Sequence, residues 1–148
     1  MKNQKKEYRK TTQLQSSHQI RVRFNETDAL GVVWHGYYLH YFEDGRESFG
    51  RKYGVSYLDV KEEGYVTPIV TSNTAHKLPL KYGDIATIET TYIDTPAAKM
   101  IFSYRILNEE GNVVCTGETT QVFVDQNDEL SLVLPEFFKE WKQKMKLT

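Results

Sequence analysis

The chain has 148 residues, of which 39% are hydrophobic and 26% charged, and this composition fits one globular domain with a substantial core. Its net charge of -1 gives no overall field that would attract nucleic acid or an anionic membrane. No apolar run approaches the ~18 residues of a membrane span, and the polar start lacks the apolar segment of a secretory signal. The single cysteine, Cys115, excludes an intrachain disulfide and suits a reducing compartment, so we expect a cytoplasmic protein.

The start of the chain differs in composition from the rest. Residues 1–17 are rich in Lys, Gln, Ser and Thr and have too few large apolar side chains to offset the entropy of ordering them. They are predicted to form a flexible polar tail, followed by a single domain over residues 18–148. The basic residues within 2–10 indicate a solvated arm or, as an alternative, an arm that binds RNA or a partner protein.

The first predicted elements are a strand, a loop and a long helix. Apolar and basic side chains alternate over residues 20–24, as in a half-buried strand, and a polar loop follows over residues 25–31. The helix has an apolar stripe at three- and four-residue spacing, formed by Tyr38, Phe42, Gly45, Phe49 and Tyr53. Gly45 weakens a helix by roughly 1 kcal/mol relative to Ala, which predicts close packing of the helix on a sheet at that position.

The remainder is mostly β. A short helix is predicted from Ser56 to Glu63, and Pro135 begins a C-terminal helix. Between them lie runs rich in β-branched and aromatic residues, over residues 66–78, 84–94, 99–107 and 113–124, with a possible short strand at 130–134. Successive strands with short turns form antiparallel sheets. We therefore predict an α+β fold, in which a curved antiparallel sheet of about five strands wraps around one long central helix. A single helix covers one face, so the sheet is expected to need a partner subunit.

The loop between the first strand and the long helix carries the candidate chemistry. Asp28 lies in this loop, Gly31 allows it to turn, and the apolar residues 32–34 predict that it is buried. His35 falls at the helix start, where backbone N–H groups lack intrahelical partners and the helix dipole is positive. Such a position stabilises a developing oxyanion, and a nearby carboxylate can act as nucleophile or general base. An Asx-turn or a helix cap is the alternative role for Asp28.

The same segment resembles a family motif. It reads TDALGVVWHGYYL over residues 27–39, and an acidic residue, Glu43, follows one turn later. This pattern resembles the hotdog-fold acyl-CoA thioesterases, in the branch of the 4-hydroxybenzoyl-CoA thioesterases and the Tol–Pal-associated acyl-CoA thioesterases. Matches at residues 64–70, 82–84, 117–118 and 122–125 extend the resemblance over about residues 18–138.

The resemblance implies a role for each matching residue. Asp28 corresponds to the catalytic aspartate, as nucleophile or as base, and the His35 N–H would polarise the thioester carbonyl while its side chain assists proton transfer. The residues implied to bind substrate are Trp34, Tyr38, Glu43, Thr67 and Pro68. Family sites form across subunit interfaces, so a homodimer or homotetramer is expected, with Thr67 and Pro68 supplied by the partner.

Two departures from the family bear on the substrate. Leu30 replaces the usual Gly or Ala, which alters the shape of the loop. In some relatives a basic turn binds the CoA phosphates, and here that turn has one basic residue, Lys99. The phosphates are then bound by Lys99, or by Lys77 or Lys81. Alternatively, the thiol carrier is an acyl-carrier protein. No cofactor is expected beyond CoA itself, and no metal, because the histidines lack ligand spacing (His18, His35, His40 and His76). A hotdog dehydratase or hydratase and a non-catalytic thioester-binding module are the alternative functions.

Overall fold

A five-stranded antiparallel sheet wraps around one long helix in the computed structural model, which describes residues 13–147. The strands are β1 (Gln15–Arg21), β2 (Ile69–His76), β3 (Ile85–Ile93), β4 (Lys99–Leu107) and β5 (Val113–Val122). The helices are α1 (Tyr38–Tyr53), α2 (Tyr57–Glu62) and α3 (Glu136–Lys144). The order across the sheet is β1-β3-β4-β5-β2, which confirms the predicted α+β architecture. None of the helices in this range is long and apolar enough to cross a membrane.

The start of the sheet requires a correction to the predicted domain boundary. Leu14 is buried, and β1 pairs with β3 from Gln15 onward, so the boundary at residue 17 falls inside a strand. Ladder hydrogen bonds and one buried apolar side chain order this stretch in spite of its polar composition. The basic residues of the predicted arm lie outside the described range. At 130–134 a single bridge joins Leu130 to Val124 in place of the possible strand.

Helix α1 packs very closely against the sheet at Gly45. A Cβ atom on Gly45 would collide with Oγ1 of Thr90 and would lie 2.9 Å from Cγ2 of Ile88. One turn earlier, the ring of Phe42 stacks on Tyr104 with centroids 4.2 Å apart. The close approach expected from a glycine on the apolar stripe is therefore confirmed, and it fixes the distance between α1 and the central strands.

Helix α3 closes the core at the C-terminal end of α1. The Trp141 indole N–H donates to the backbone carbonyl of Tyr53, with a nitrogen–oxygen distance of 2.8 Å. The buried ammonium of Lys142 lies 2.8 Å from Oδ1 of Asp94 and donates to the carbonyl of Thr95. Because the Trp141 N–H and the Lys142 ammonium both have partners, α3 buries its apolar face without leaving a buried charge unpaired.

Strand β2 is one of the two edge strands of the sheet. Among residues 13–147 it pairs only with β5, and most of its side chains are exposed. Three apolar side chains at and before its start, Val66, Ile69 and Val70, are also exposed. An unpaired edge bearing apolar residues is a surface on which another strand can add.

Candidate active site

The loop that holds Asp28 is shaped by its own backbone hydrogen bonds. The Asp28 N–H donates to the carbonyl of Val32 at 2.8 Å, and the chain reverses at Gly31, which has a φ of +80°. Oδ1 of Asp28 accepts the N–H of Leu30 at 2.8 Å, which is the Asx-turn that the sequence allows. Within residues 13–147, no group hydrogen-bonds to Oδ2. One carboxylate oxygen therefore orients the side chain, and the other is available for chemistry.

His35 begins the helical segment, as predicted. A 3-10 turn over His35–Tyr37 runs directly into α1. In the described part of the chain, the backbone N–H of His35 has no hydrogen-bond acceptor. The Trp34 indole covers the neighbouring Gly36, where an added Cβ would lie 2.5 Å from two ring atoms, so only glycine allows this close approach. The His35 N–H is thus a free donor at the positive end of a long helix.

Aromatic side chains surround this donor. The ring of His35 lies 5.2 Å from Trp34 and 6.4 Å from His76, and Tyr38 lies 5.0 Å from His76, all between ring centroids. Burial raises the pKa of Tyr38 to about 12, so its hydroxyl stays protonated near neutral pH and does not act as a base. The sequence does not identify His76 as a site residue, because it lies 41 positions beyond His35 and is joined to it only by the fold.

The prediction that the loop is buried is wrong for the single chain. Val33 is buried, but Trp34 is 51% exposed and Leu30 is 85% exposed. Val32 and Val33 pair with Lys81 and Leu80 in a strand-like conformation. Because side chains alternate along such a segment, only one of these neighbours points into the core.

A second group of predicted residues lines a cavity of about 520 Å³. Glu43 lies on its α1 side and Thr67 on its sheet side, together with apolar residues such as Met100 and Phe102. Gln121 fixes Thr67, because its Nε2 donates both to the Thr67 carbonyl at 2.8 Å and to Oγ1 at 3.1 Å. The sequence does not identify Gln121 as a site residue, because the contact joins residues 54 positions apart. Pro68 is next to the cavity but does not line it.

The two groups do not form one site within a single chain. Neither Asp28 nor His35 lines the cavity, and neither do Trp34 and Tyr38. His35 contacts the end of β2 through His76, whereas Thr67 precedes its start, and an eight-residue strand is about 25 Å long. Each chain therefore carries two separate parts: a loop with the free carboxylate oxygen and N–H, and a cavity with Glu43 and Thr67.

The predicted CoA-binding residue is also distant from the loop. Lys99 begins β4, beside the end of β3, whereas the loop lies beside residues 80–84 just before β3 begins. The nine residues of β3 separate these positions by about 27 Å. Lys81, in contrast, pairs directly with Val32 of the loop. In one chain, Lys81 and not Lys99 is paired with the loop that holds Asp28.

Comparisons with known proteins identify the family of the chain. The family model of the thioesterase-like superfamily matches residues 22–142. A Bacillus subtilis relative, YneP, which carries a provisional acyl-CoA thioesterase name, is 31% identical over 126 residues, 85% of this chain and 91% of its own length. The acyl-CoA thioester hydrolase YbgC of Escherichia coli is 26% identical over 106 residues, 72% of this chain and 79% of its own.

Solved structures show the same architecture. A DHNA-CoA thioesterase from Staphylococcus aureus superposes with a TM-score of 0.81 at 27% identity, covering 90% of this chain and 89% of that one. The chain belongs to the thioesterase-like superfamily and has the hotdog fold.

Proposed function

We propose that the chain hydrolyses an acyl-CoA thioester to a free acid and a thiol. The observation that carries this proposal is that one loop at the start of α1 holds both a carboxylate oxygen of Asp28 and a backbone N–H of His35 that make no hydrogen bond within residues 13–147. The relatives YneP and YbgC and the Staphylococcus aureus structure carry thioesterase or thioester hydrolase names. Thioester hydrolysis is therefore the function of the chain, and the roles of the individual residues are inferred from geometry.

The mechanism follows from the positions of these two groups. The thioester carbonyl oxygen accepts the His35 N–H, which stabilises the oxyanion as the carbonyl carbon becomes tetrahedral. Asp28 either attacks that carbon, which forms an anhydride that water then cleaves, or removes a proton from an attacking water. In both routes the carbon–sulfur bond breaks and the thiolate leaves, and the imidazole of His35 assists proton transfer. Trp34 and Tyr38 flank the acyl group.

The thiol carrier is proposed to be CoA. The phosphates of CoA are separated from the thioester by the long pantetheine arm, so the cations that bind them need not adjoin Asp28; Lys81, whose backbone pairs with Val32, is one candidate. Lys99 is a second candidate, in the same chain or in the partner. An acyl-carrier protein is the alternative carrier. The reaction needs no cofactor besides CoA as part of the substrate, and its proposed location is the cytoplasm, where Cys115 stays reduced.

A homodimer completes the proposed site. In a two-fold pair of antiparallel β2 edges, the start of one strand faces the end of the other. Thr67 and the Glu43 cavity of one protomer then lie beside His76 and His35 of its partner. The exposed apolar residues at the β2 start, which are costly to leave in water, become buried in this arrangement. A homotetramer would pair two such dimers.

Mixing two inactive variants tests the shared site. Asp28→Asn removes the loop carboxylate, and Thr67→Trp fills the cavity, so each homodimer is inactive. In a mixed dimer both defects fall in one site and leave the other site intact. Random mixing after joint refolding should therefore restore about a quarter of the wild-type activity, since half of the dimers are mixed and each has one of two sites intact. A mixture as inactive as its components would contradict a site shared between protomers.

The reaction itself is tested by thiol release. Purified protein is incubated with short, long and aromatic acyl-CoAs and with enoyl-CoAs, and free thiol and hydrated product are both measured. We expect thiol release from at least one acyl-CoA and no hydration of the enoyl-CoAs. Hydration without thiol release would indicate a dehydratase or hydratase, and saturable binding without either product would indicate a binding module.

A further inference from the structure

A buried carboxylate stands two residues before Asp28 and has no part in the proposed chemistry. Glu26 is 8% exposed, and its Oε1 accepts two hydrogen bonds. One comes from the Arg23 N–H at 2.9 Å, and the other comes from the Tyr41 hydroxyl at 2.8 Å. Burial of a carboxylate is costly unless its oxygens are hydrogen-bonded, so this arrangement makes Glu26 a fixed point of the loop.

The backbone of Glu26 holds the other end of the same loop. Its carbonyl accepts the N–H of Trp34 at 3.0 Å, and the next residue, Thr27, bridges to Val33. Trp34 immediately precedes His35. Hydrogen bonds therefore connect Glu26 to Arg23, which precedes the loop, and to Trp34, which ends it. Asp28 lies between these two residues.

Tyr41 joins this fixed point to α1. Its side chain is 1% exposed and packs edge-on against Tyr37 at 5.2 Å and Tyr38 at 5.7 Å, the residues that end the 3-10 turn and begin α1. Burial and the hydrogen bond to Glu26 raise the pKa of Tyr41, so its hydroxyl remains a donor. The buried hydrogen bond between Tyr41 and Glu26 thus joins the loop that holds Asp28 to the start of α1.

We infer that Glu26 is a positioning residue, which holds Asp28 and the His35 N–H at a fixed separation through its bond to Tyr41. The inference rests on the proposed function of those two groups. A displacement of about 1 Å between reacting groups lowers a rate by about a hundredfold, so a loop without this bond should turn over substrate slowly even when it binds substrate normally.

Three variants test the inference by kcat and KM for thiol release. Glu26→Ala and Tyr41→Phe should lower kcat by about tenfold to a hundredfold and leave KM within about threefold. Glu26→Gln should keep kcat within about threefold, because its amide oxygen accepts both hydrogen bonds without a charge. Lys142→Met removes the ion pair between a buried ammonium and the exposed Asp94, at the other end of α1, and serves as a control outside the loop with normal kcat.

Hydrogen exchange of the loop amides gives a readout that does not depend on turnover. Glu26→Ala and Tyr41→Phe should raise exchange over residues 27–37 by about tenfold, whereas Glu26→Gln and Lys142→Met should not. An inactive Glu26→Gln would overturn the inference, because the charge and not the position would then matter. Normal kcat in both Glu26→Ala and Tyr41→Phe, or slow exchange in both, would also overturn it. If the wild-type chain released no thiol, the proposed function would fail, while exchange would still decide whether Glu26 holds the loop.

Discussion

Asp28→Asn is expected to lower kcat by about a thousandfold while the fold stays intact, because an amide can neither attack the thioester nor take a proton from water. The amide oxygen of Asn can still accept the Leu30 N–H, so the Asx-turn that shapes the loop persists. Steady-state thiol release measures kcat, and the urea midpoint measures stability. The free energy of unfolding should change by less than about 0.5 kcal/mol, as is usual for a surface substitution.

The matched control is Asp128→Asn, which makes the same chemical change in an exposed turn. Asp128 has a φ of 59°, a conformation that Asn adopts readily, so the fold should tolerate the change. We expect wild-type kcat for this control. A folded Asp28→Asn protein whose kcat stayed within tenfold of wild type would rule out Asp28 as nucleophile and as general base.

Gly45→Val is expected to destabilise the fold by about 3 kcal/mol, because the added side chain must displace Thr90 or push α1 off the sheet. Urea unfolding measures the loss. Ser48→Val, on the same helix but less buried, is the control for placing a β-branched residue in α1 and should cost less than about 1 kcal/mol.

A double variant separates the collision from other causes. Oγ1 of Thr90 is buried and has no hydrogen-bond partner within residues 13–147, so removing it sacrifices no hydrogen bond. Thr90→Ala should therefore recover part of the stability lost in Gly45→Ala, through a coupling of about 1 kcal/mol between residues in contact. Strict additivity of the two substitutions would mean that the helix–sheet distance is not set by this contact.

The elements that the sequence predicts well are those whose signal is local. The apolar stripe of α1 is complete within 16 residues, and its bounds agree with the structure. Asp28 and His35 are seven positions apart at a strand–helix junction, so their joint placement follows from the chain itself. Gly45 is informative for the same reason, since a glycine in a long helix requires a close neighbour.

The features that the sequence misses depend on pairing between distant segments. Strand β2 follows α2 in the chain but pairs with β5, so nothing local shows that it is the sheet edge. The pairing of distant strands places His76 beside His35 and Gln121 beside Thr67. It also places Lys99 far from Asp28. Glu26 is missed for another reason: an acidic residue beside a loop usually faces water, and here the hydrogen bonds from the Arg23 N–H and the Tyr41 hydroxyl make its burial acceptable.

In the proposed dimer, the open edge of β2 links enzymatic activity to protein concentration. If two edges must meet to complete each site, dissociation on dilution removes turnover and exposes the apolar start of β2 at the same moment. A free edge strand of this kind can pair with edges of other chains in a non-native register. Specific activity should then fall together with colloidal stability as the dimer dissociates. A substrate that contacts both protomers would stabilise the dimer and would therefore protect the protein against both losses.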